Sequence, residues 1–310
     1  MGILIDRNSK IVIQGITGRE ASMVTKHMLK YGTPVIAGVT PGKKGEEVHG
    51  VPVYDTLRQV CSEHEINTAI IYVPTAFVLD AVLETLDNNI KLMVVITENI
   101  PQHDVMKLLL EADNAGARVI GPNTVGAINP KERVRLGAIG GDNVERCFVP
   151  GCVGVISRSG GMTSETSYMV KRAGLGVSTA IGIGGDSLIG SPPKGLLALF
   201  EKDPDTQAVV SFSEPGTSFE EDVAQFVAEG GFTKPLVTYV AGRFTESMPE
   251  GTIFGHAGAI IEGGKGKPST KIKMLRDAGV HVVDRYDDII TVLQSLNLEG
   301  VRAHAATSER

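Results

Sequence analysis

Short β-branched runs alternate with helix-patterned segments along almost the whole chain, and this rhythm limits its folds most. Lys10–Gln14, Pro34–Gly38, Thr68–Val73, Leu92–Ile96 and Ala117–Ile120 read as strands without a polar face. Ser22–Tyr31, Thr56–His64, Ala76–Asn88 and His103–Ala115 carry helical patterns between them. A strand apolar on both sides must be covered on both sides. Parallel strands need a long crossover, which a helix supplies. The pattern predicts a doubly wound α/β unit. The rhythm breaks over residues 121–150, where Pro122, Pro130, Gly137, Gly140, Gly141 and Pro150 gather. A domain boundary is expected there. The rhythm then restarts. Val153–Ser157, Thr179–Ile183, Ala208–Phe212, Leu236–Val240 and Val280–Val283 read as strands, and Thr163–Ala173, Phe219–Glu229, Thr270–Ala278 and Asp287–Leu296 as helices. The expected division is a first domain over 1–125, a linker over 126–150, a second domain over 151–300 and a polar tail over 301–310.

A chain of 310 residues is long enough for two cores of this kind. Its formal net charge of −6, with no Lys/Arg run, argues against nucleic-acid binding. Anionic ligands must then be met by local charge or by backbone dipoles. Cys61, Cys147 and Cys152 are odd in number and show no CxxC spacing, so reduced thiols in a cytoplasmic protein are expected, with no zinc site. The start, MGILIDRNSK, does not read as a secretory leader, and no apolar run approaches the length of a membrane span.

Glycine-rich turns mark the strand ends. The first reads Gln14-Gly15-Ile16-Thr17-Gly18-Arg19-Glu20, where glycines permit a tight turn and the following helix start offers free N–H groups to a phosphate. It lacks the full GxGxxG. The second strand ends in Thr40-Pro41-Gly42-Lys43-Lys44, with ammonium groups where an NAD site carries an acid. The lysines suit an additional phosphate, as on coenzyme A or NADP. Ile96-Thr97-Glu98-Asn99 ends another strand on the same expected edge. In the second half, Ser157-Arg158-Ser159-Gly160-Gly161 joins a strand to a helix and forms an anion site by the same logic. Gly-x-Ser-x-Gly is absent, so hydrolase chemistry is poorly supported.

Gly255-His256-Ala257-Gly258-Ala259 lies in a long irregular stretch, residues 242–269. A histidine among residues with almost no side chain is sterically open, and such loops are often functional. Glu214, at the end of another strand, can accept from one ring nitrogen and sharpen the other as a nucleophile. No P-loop occurs, including in Gly263-Gly264-Lys265-Gly266-Lys267. A histidine that takes phosphate without a nucleotide cradle on its own chain implies a partner.

In order along nearly the full chain, QGITGRE, GVTPGK, ITENIP, IGPNTVG, GVISRSGG, GIGGD, FEKDP and GHAGAIIEGGKG resemble the α subunit of succinyl-CoA synthetase and related nucleoside-diphosphate-forming acid–CoA ligases. The resemblance implies an α/β architecture with an N-terminal Rossmann-like CoA-binding domain and a C-terminal flavodoxin-like ligase domain. It implies a phosphohistidine at His256 assisted by Glu214, cradled by Ser159, Gly160 and Gly161. It implies CoA contacts at Thr17, Gly18, Arg19, Glu20, Lys43, Ile96, Thr97 and Glu98. It further implies a β subunit with an ATP-grasp site for ATP or GTP and Mg²⁺, in an αβ or α2β2 assembly. In the family scheme, the acid and the nucleotide yield an acyl phosphate by way of His256, and the CoA thiolate attacks the acyl carbon.

Three motifs depart from succinate-using members. PNCPG is here Pro122-Asn123-Thr124-Val125-Gly126. SRSGTLTYE is Ser157–Glu165, with Ser164 in place of a tyrosine associated with the acid. GEIGG is Ser213–Thr217. The first two segments look closer to ATP-citrate lyase and citryl-CoA synthetase. The changes imply an acid other than plain succinate, such as citrate or a hydroxy- or sulfo-carboxylate. Succinate itself, a CoA-binding regulatory protein with a silent ligase domain, and an NADP-dependent oxidoreductase are the alternatives.

Overall fold

The computed structural model describes residues 2–249, 252, 255–261 and 266–298. The first sheet holds β1 (Ile11–Gln14), β2 (Val35–Val39), β3 (Glu47–Val48), β4 (Val51–Tyr54), β5 (Thr68–Ile71), β6 (Leu92–Val95) and β7 (Arg118–Ile120). Its helices are α1 (Arg19–Tyr31), α2 (Leu57–Glu63), α3 (Val78–Asp87) and α4 (Gln102–Asn114). The strand order is β3-β4-β2-β1-β5-β6-β7. Only the β3–β4 hairpin is antiparallel. Without β3 this is the Rossmann order, whose switch point falls between β1 and β5. Every residue of β1, β5 and β6 is buried, as two-sided coverage requires.

The second sheet holds β8 (Ala127–Asn129), β9 (Val134–Leu136), β10 (Pro150–Ser157), β11 (Val177–Gly182), β12 (Ala208–Ser213), β13 (Leu236–Val240) and β14 (His281–Val283). Around it lie α5 (Gly160–Arg172), α6 (Pro193–Lys202), α7 (Phe219–Ala228), α8 (Pro268–Asp277) and α9 (Asp288–Ser295). The order is β14-β13-β12-β10-β11-β8-β9. The five parallel strands follow the flavodoxin-like order, with the switch point between β10 and β12.

The stretch 126–150, expected as a linker, instead contributes β8 and β9 to the second sheet. They form an antiparallel hairpin, and β8 pairs with β11. The Pro/Gly density that suggested a linker belongs to the turns around this hairpin. Ala127, Ile128, Val134 and Leu136 are buried, and the Thr33 hydroxyl donates to the Arg135 carbonyl at 3.1 Å, tying the hairpin to the first domain. One apolar cluster runs from Ile13 and Val94 through Ala127 and Leu136 to Ile156 and Val209. The two domains therefore pack as one body.

Other differences have local causes. α1 starts at Arg19 and α5 at Gly160, each three residues before its expected start. Their first turns are polar or glycine-rich and give no apolar period. α6 escaped notice because its start is Pro192-Pro193, yet Leu196, Leu197 and Phe200 bury one face. The 242–269 stretch includes one 3₁₀ turn, Arg243–Ser247, and α8 begins at Pro268, two residues early. Gly263–Lys265 and the tail 301–310 lie outside the described residues. Among those described, no helix is long and apolar enough to cross a membrane.

One buried ion cluster braces the loop after β12. Lys271 on α8 is fully buried, and its ammonium donates to Glu220 and, at 3.2 Å, to Glu221 in the first turn of α7. It also donates to the Thr217 carbonyl at 3.1 Å. Removing the cation strands two carboxylates. Lys271→Ala is expected to lower stability by about 3–5 kcal/mol, read from chemical denaturation.

Candidate active site

His256 and Glu214 meet at the carboxyl edge of the second sheet. Glu214 directly follows β12, the strand beside the switch point. Its turn closes against the histidine loop, backbone to backbone. Gly216 has φ +78°, and a Cβ there would lie 2.1 Å from the Gly258 carbonyl oxygen. The Gly216 N–H donates to the Gly266 carbonyl at 2.9 Å. These contacts fix the histidine loop where it leaves the ring.

The His256 Nδ1 lies 2.7 Å from the Glu214 Oε2. With the carboxylate accepting from Nδ1–H, the neutral ring carries its lone pair on Nε2. The His256 side chain is 32% exposed and that of Glu214 12% exposed. The ring is thus reachable while its orienting acid is shielded. The hydrogen bond to Glu214 raises the imidazole pKa above its ordinary value. Burial opposes this, the Glu214 charge reinforces it, the Arg158 cation opposes it and Asp186 adds to it. The geometry is that of a histidine oriented by a carboxylate through Nδ1, with no hydrogen bond to Nε2 among the described residues.

Two further loops enclose the ring. Gly185 backs it directly: a Cβ there would lie 2.5 Å from the imidazole Cδ2. The Gly258 N–H donates to the Gly185 carbonyl at 3.1 Å. Gly185→Ala fits the backbone but pushes the ring off Glu214. A misplacement of this kind costs about 100-fold in rate. The expected result is that loss in His256 reactivity with the unfolding temperature nearly unchanged, read by reaction kinetics and by thermal melting.

The start of α5 faces the same space. Ser159 caps it, its hydroxyl accepting from the Met162 N–H at 3.4 Å. Gly160 and His256 line one cleft of about 640 Å³. The Gly160 position is also held by packing, since a Cβ there would sit 2.2 Å from the Val125 Cγ1. Gly161 is exposed and has open space around it. Ser164 lies one turn further along α5, half-buried, and is not among the residues lining the cleft.

Arg158 lines the cleft as well, and its remaining walls come from the first domain. Glu20, Tyr72, Thr75, Ile96, Thr97 and Glu98 line it opposite His256. Thr97 is fixed by donating to the Val73 carbonyl at 2.7 Å. Thr17 donates to the Thr40 hydroxyl at 3.1 Å, linking the first two strand ends. Gly18 precedes α1 with no side-chain cap, and with Arg19 opens the helix, so its first N–H groups face outward for a ligand. Lys43 is exposed and lies outside the cleft. Its Nζ is 2.8 Å from Glu46, and Asp55 accepts from the N–H groups of Gly42, Lys43 and Lys44 at 2.7, 3.1 and 3.2 Å. That loop is held open by one carboxylate.

Sequence reasoning missed the residues that join the two halves. Asn123, at φ +56°, accepts at its carbonyl from the Gly185 N–H at 3.3 Å and donates through its own N–H to the Thr97 carbonyl at 3.1 Å. Its amide Nδ2 donates to Asp186 Oδ1 at 2.9 Å. Asn123 thereby stitches the first-domain strand end to the loop behind His256. The departure at Pro122–Gly126 marked the segment, but nothing in a linear pattern reports a contact across domains.

The family model for the CoA binding domain matches residues 6–99, and that for the CoA-ligase domain matches residues 156–281. The chain is 44% identical to the ADP-forming sulfoacetate-CoA ligase subunit SqwL of an Acholeplasma species, covering 96% of this chain and 99% of that one. It is 47% identical to α subunit 2 of the ADP-forming succinate–CoA ligase of Archaeoglobus fulgidus, covering 91% and 95%. Among solved structures it resembles Methanosaeta concilii ATP citrate lyase in complex with (3S)-citryl-CoA, with a TM-score of 0.87 and 26% identity. That match covers 94% of this chain and 50% of the lyase chain, so this chain spans about half of the larger enzyme. A Rossmann-like domain, a flavodoxin-like domain and a shared cleft between their strand ends accord with these likenesses, and the chain belongs to the α-subunit family of ADP-forming succinate–CoA ligases and their acid–CoA ligase relatives.

Proposed function

We propose that this chain is the CoA-binding, phosphohistidine-carrying subunit of a two-subunit ligase that joins CoA to a small anionic acid other than plain succinate. The observation that carries this reading is the 2.7 Å His256–Glu214 pair at one end of a cleft whose opposite wall is the first domain's strand ends. Nε2 of His256 takes the phosphoryl group from a nucleoside triphosphate held, with Mg²⁺, on an ATP-grasp β subunit. Glu214 balances the positive charge that develops on the ring. N–H groups at the Ser159–Gly161 helix start hold the phosphoryl oxygens. The acid's carboxylate oxygen then displaces the imidazole from phosphorus, giving an acyl phosphate. The CoA thiolate attacks the acyl carbon, and phosphate leaves.

CoA lies along Thr17, Gly18, Arg19 and Glu20, with Lys43 toward its outer phosphates and Ile96, Thr97 and Glu98 flanking the arm that ends at the thiol. The intact His256–Glu214 pair favours this enzyme over a silent CoA-binding relative. The three cysteines are free thiols, which suits work in the cytoplasm. For the acid, the support is two relatives that are sulfoacetate-CoA ligase subunits, at 44% and 42% identity. A sulfonated or hydroxylated short carboxylate is the class proposed.

The test is a panel of acids (sulfoacetate, citrate, succinate and short hydroxy acids) with the chain assembled with its β subunit, ATP or GTP and CoA. CoA consumption is the readout. A sulfo- or hydroxy-carboxylate is expected to exceed succinate by about tenfold or more in kcat/KM. A preference for succinate overturns the choice of acid. Absence of thioester with every acid overturns the ligase reading.

A further inference from the structure

Arg158 is an unusual residue to find where it is. It is 2% exposed, yet no carboxylate pairs with it among the described residues. Its Nη1 donates to the Pro215 carbonyl at 3.3 Å, and its Nη2 to the Gly185 and Asp186 carbonyls at 3.1 and 3.3 Å. Its Nε has no partner among the described residues. The guanidinium lies 5.6 Å from the centre of the Phe219 ring. A Cβ on Gly258 would lie 2.1 Å from its Nη2, so the histidine loop also rests against it. One side chain thus touches all three loops around the imidazole: the Glu214 turn, the Gly185-Asp186 turn and the His256 loop.

A buried cation without an anion is costly, and carbonyl dipoles offset only part of that cost. The missing negative charge has an obvious source in this cleft. Phosphorylation of His256 brings about two negative charges beside Arg158. The Pro215, Gly185 and Asp186 carbonyl oxygens, from two different loops, accept from the one guanidinium. Arg158 engages those oxygens and supplies a fixed positive charge in the same step. Its backbone position beside Ser159 locks that charge to the start of α5, so the two anion-stabilising elements move as one.

We propose that Arg158 is the positioning residue of the phosphoryl site, tying the three loops around His256 and holding the counter-charge for the phosphorylated ring. This rests on the reading of His256 as the phosphoryl carrier. The effect of the Arg158 cation on the imidazole, opposing that of Glu214, agrees with its place in the cluster.

The test compares wild type, Arg158→Lys and Arg158→Met, each assembled with the β subunit. The label from γ-³²P-ATP on His256, its half-life, the CoA dissociation constant and the His256 titration by NMR are measured. Arg158→Met is expected to slow labelling by about 100-fold and to shorten the life of the label. Its His256 pKa rises, because an opposing cation is gone. Arg158→Lys keeps the charge but not the fork, and falls between the other two. CoA affinity stays within about threefold in both variants, since the contacts to CoA lie on the other domain. A Met variant that labels at the wild-type rate overturns the inference. So do Lys and Met variants that lose labelling equally with the His256 pKa unmoved, the outcome of a purely structural role. A wild type that takes no label overturns the phosphohistidine reading and this inference with it, whereas a labelled wild type beside an equally labelled Met variant overturns this inference alone.

Discussion

His256→Asn is expected to abolish acid-labile phosphoryl label on this chain and to lower thioester synthesis by about 10⁴-fold or more. Asparagine is close in size to the imidazole's near half and keeps a donor toward Glu214, so the loop has no steric reason to rearrange. It has no basic ring nitrogen, so nothing is left to take the phosphoryl group. CoA binding is expected to persist, because the residues assigned to it lie on the first domain. Isothermal titration with CoA, beside labelling with γ-³²P-ATP, checks both halves of the prediction. Label that survives in His256→Asn means that another residue carries phosphate.

Glu214→Gln separates the charge of the acid from its hydrogen bond. The amide oxygen can still accept from Nδ1–H at the position where the carboxylate lies 2.7 Å away. It cannot balance the positive charge that develops on the ring as phosphate is transferred. A loss of about 10⁴-fold in labelling rate is expected, by analogy with the loss of an orienting carboxylate beside a catalytic histidine. The pH behaviour gives an independent check. The wild-type imidazole pKa is raised chiefly by the hydrogen bond to Glu214. With the neutral ring as the proposed nucleophile, labelling is expected to rise with pH and to level off only above that raised value. In Glu214→Gln, burial and the Arg158 cation are less opposed, and the plateau begins at lower pH but at a lower height. Stability follows the opposite course. A folded pKa above the unfolded 6.5 means the charged pair stabilises the fold fully below that value. The contribution fades as pH rises through the folded pKa. The difference in melting temperature between wild type and Glu214→Gln is therefore largest in mild acid and shrinks toward alkaline pH. A difference that grows with pH contradicts the assignment.

Much of the fold was legible in the linear pattern because burial on both faces leaves an unambiguous mark. β1, β5 and β6 are buried at every position and apolar at all but Gln14 and Thr68, and α3 between β5 and β6 shows a clear amphipathic period. Elements with weaker marks were missed. β8 and β9 are three residues each, and β3 only two. Runs that short carry too few positions for a period to register. α1 and α5 begin before their apolar periods do, because each opens with polar residues or glycines that bury no face. The helix signal is faintest at the very ends that would hold phosphate.

The sequence alone determined the residue types that can do this chemistry: an open histidine among glycines, an acid at a strand end, glycine-rich starts to two helices, and no nucleotide cradle on the chain. Each is a local property, decided by what a few neighbouring residues can and cannot do. Only the tertiary structure decided that Glu214 and His256, 42 residues apart, are hydrogen-bonded. It alone decided that Asn123 ties one domain to the other and that Arg158, with no carboxylate partner among the described residues, lies at the meeting point of three loops. The physical reason is that strand order, not chain order, sets which strand ends are neighbours. That order comes from packing two sheets against their helices, and no single segment carries it.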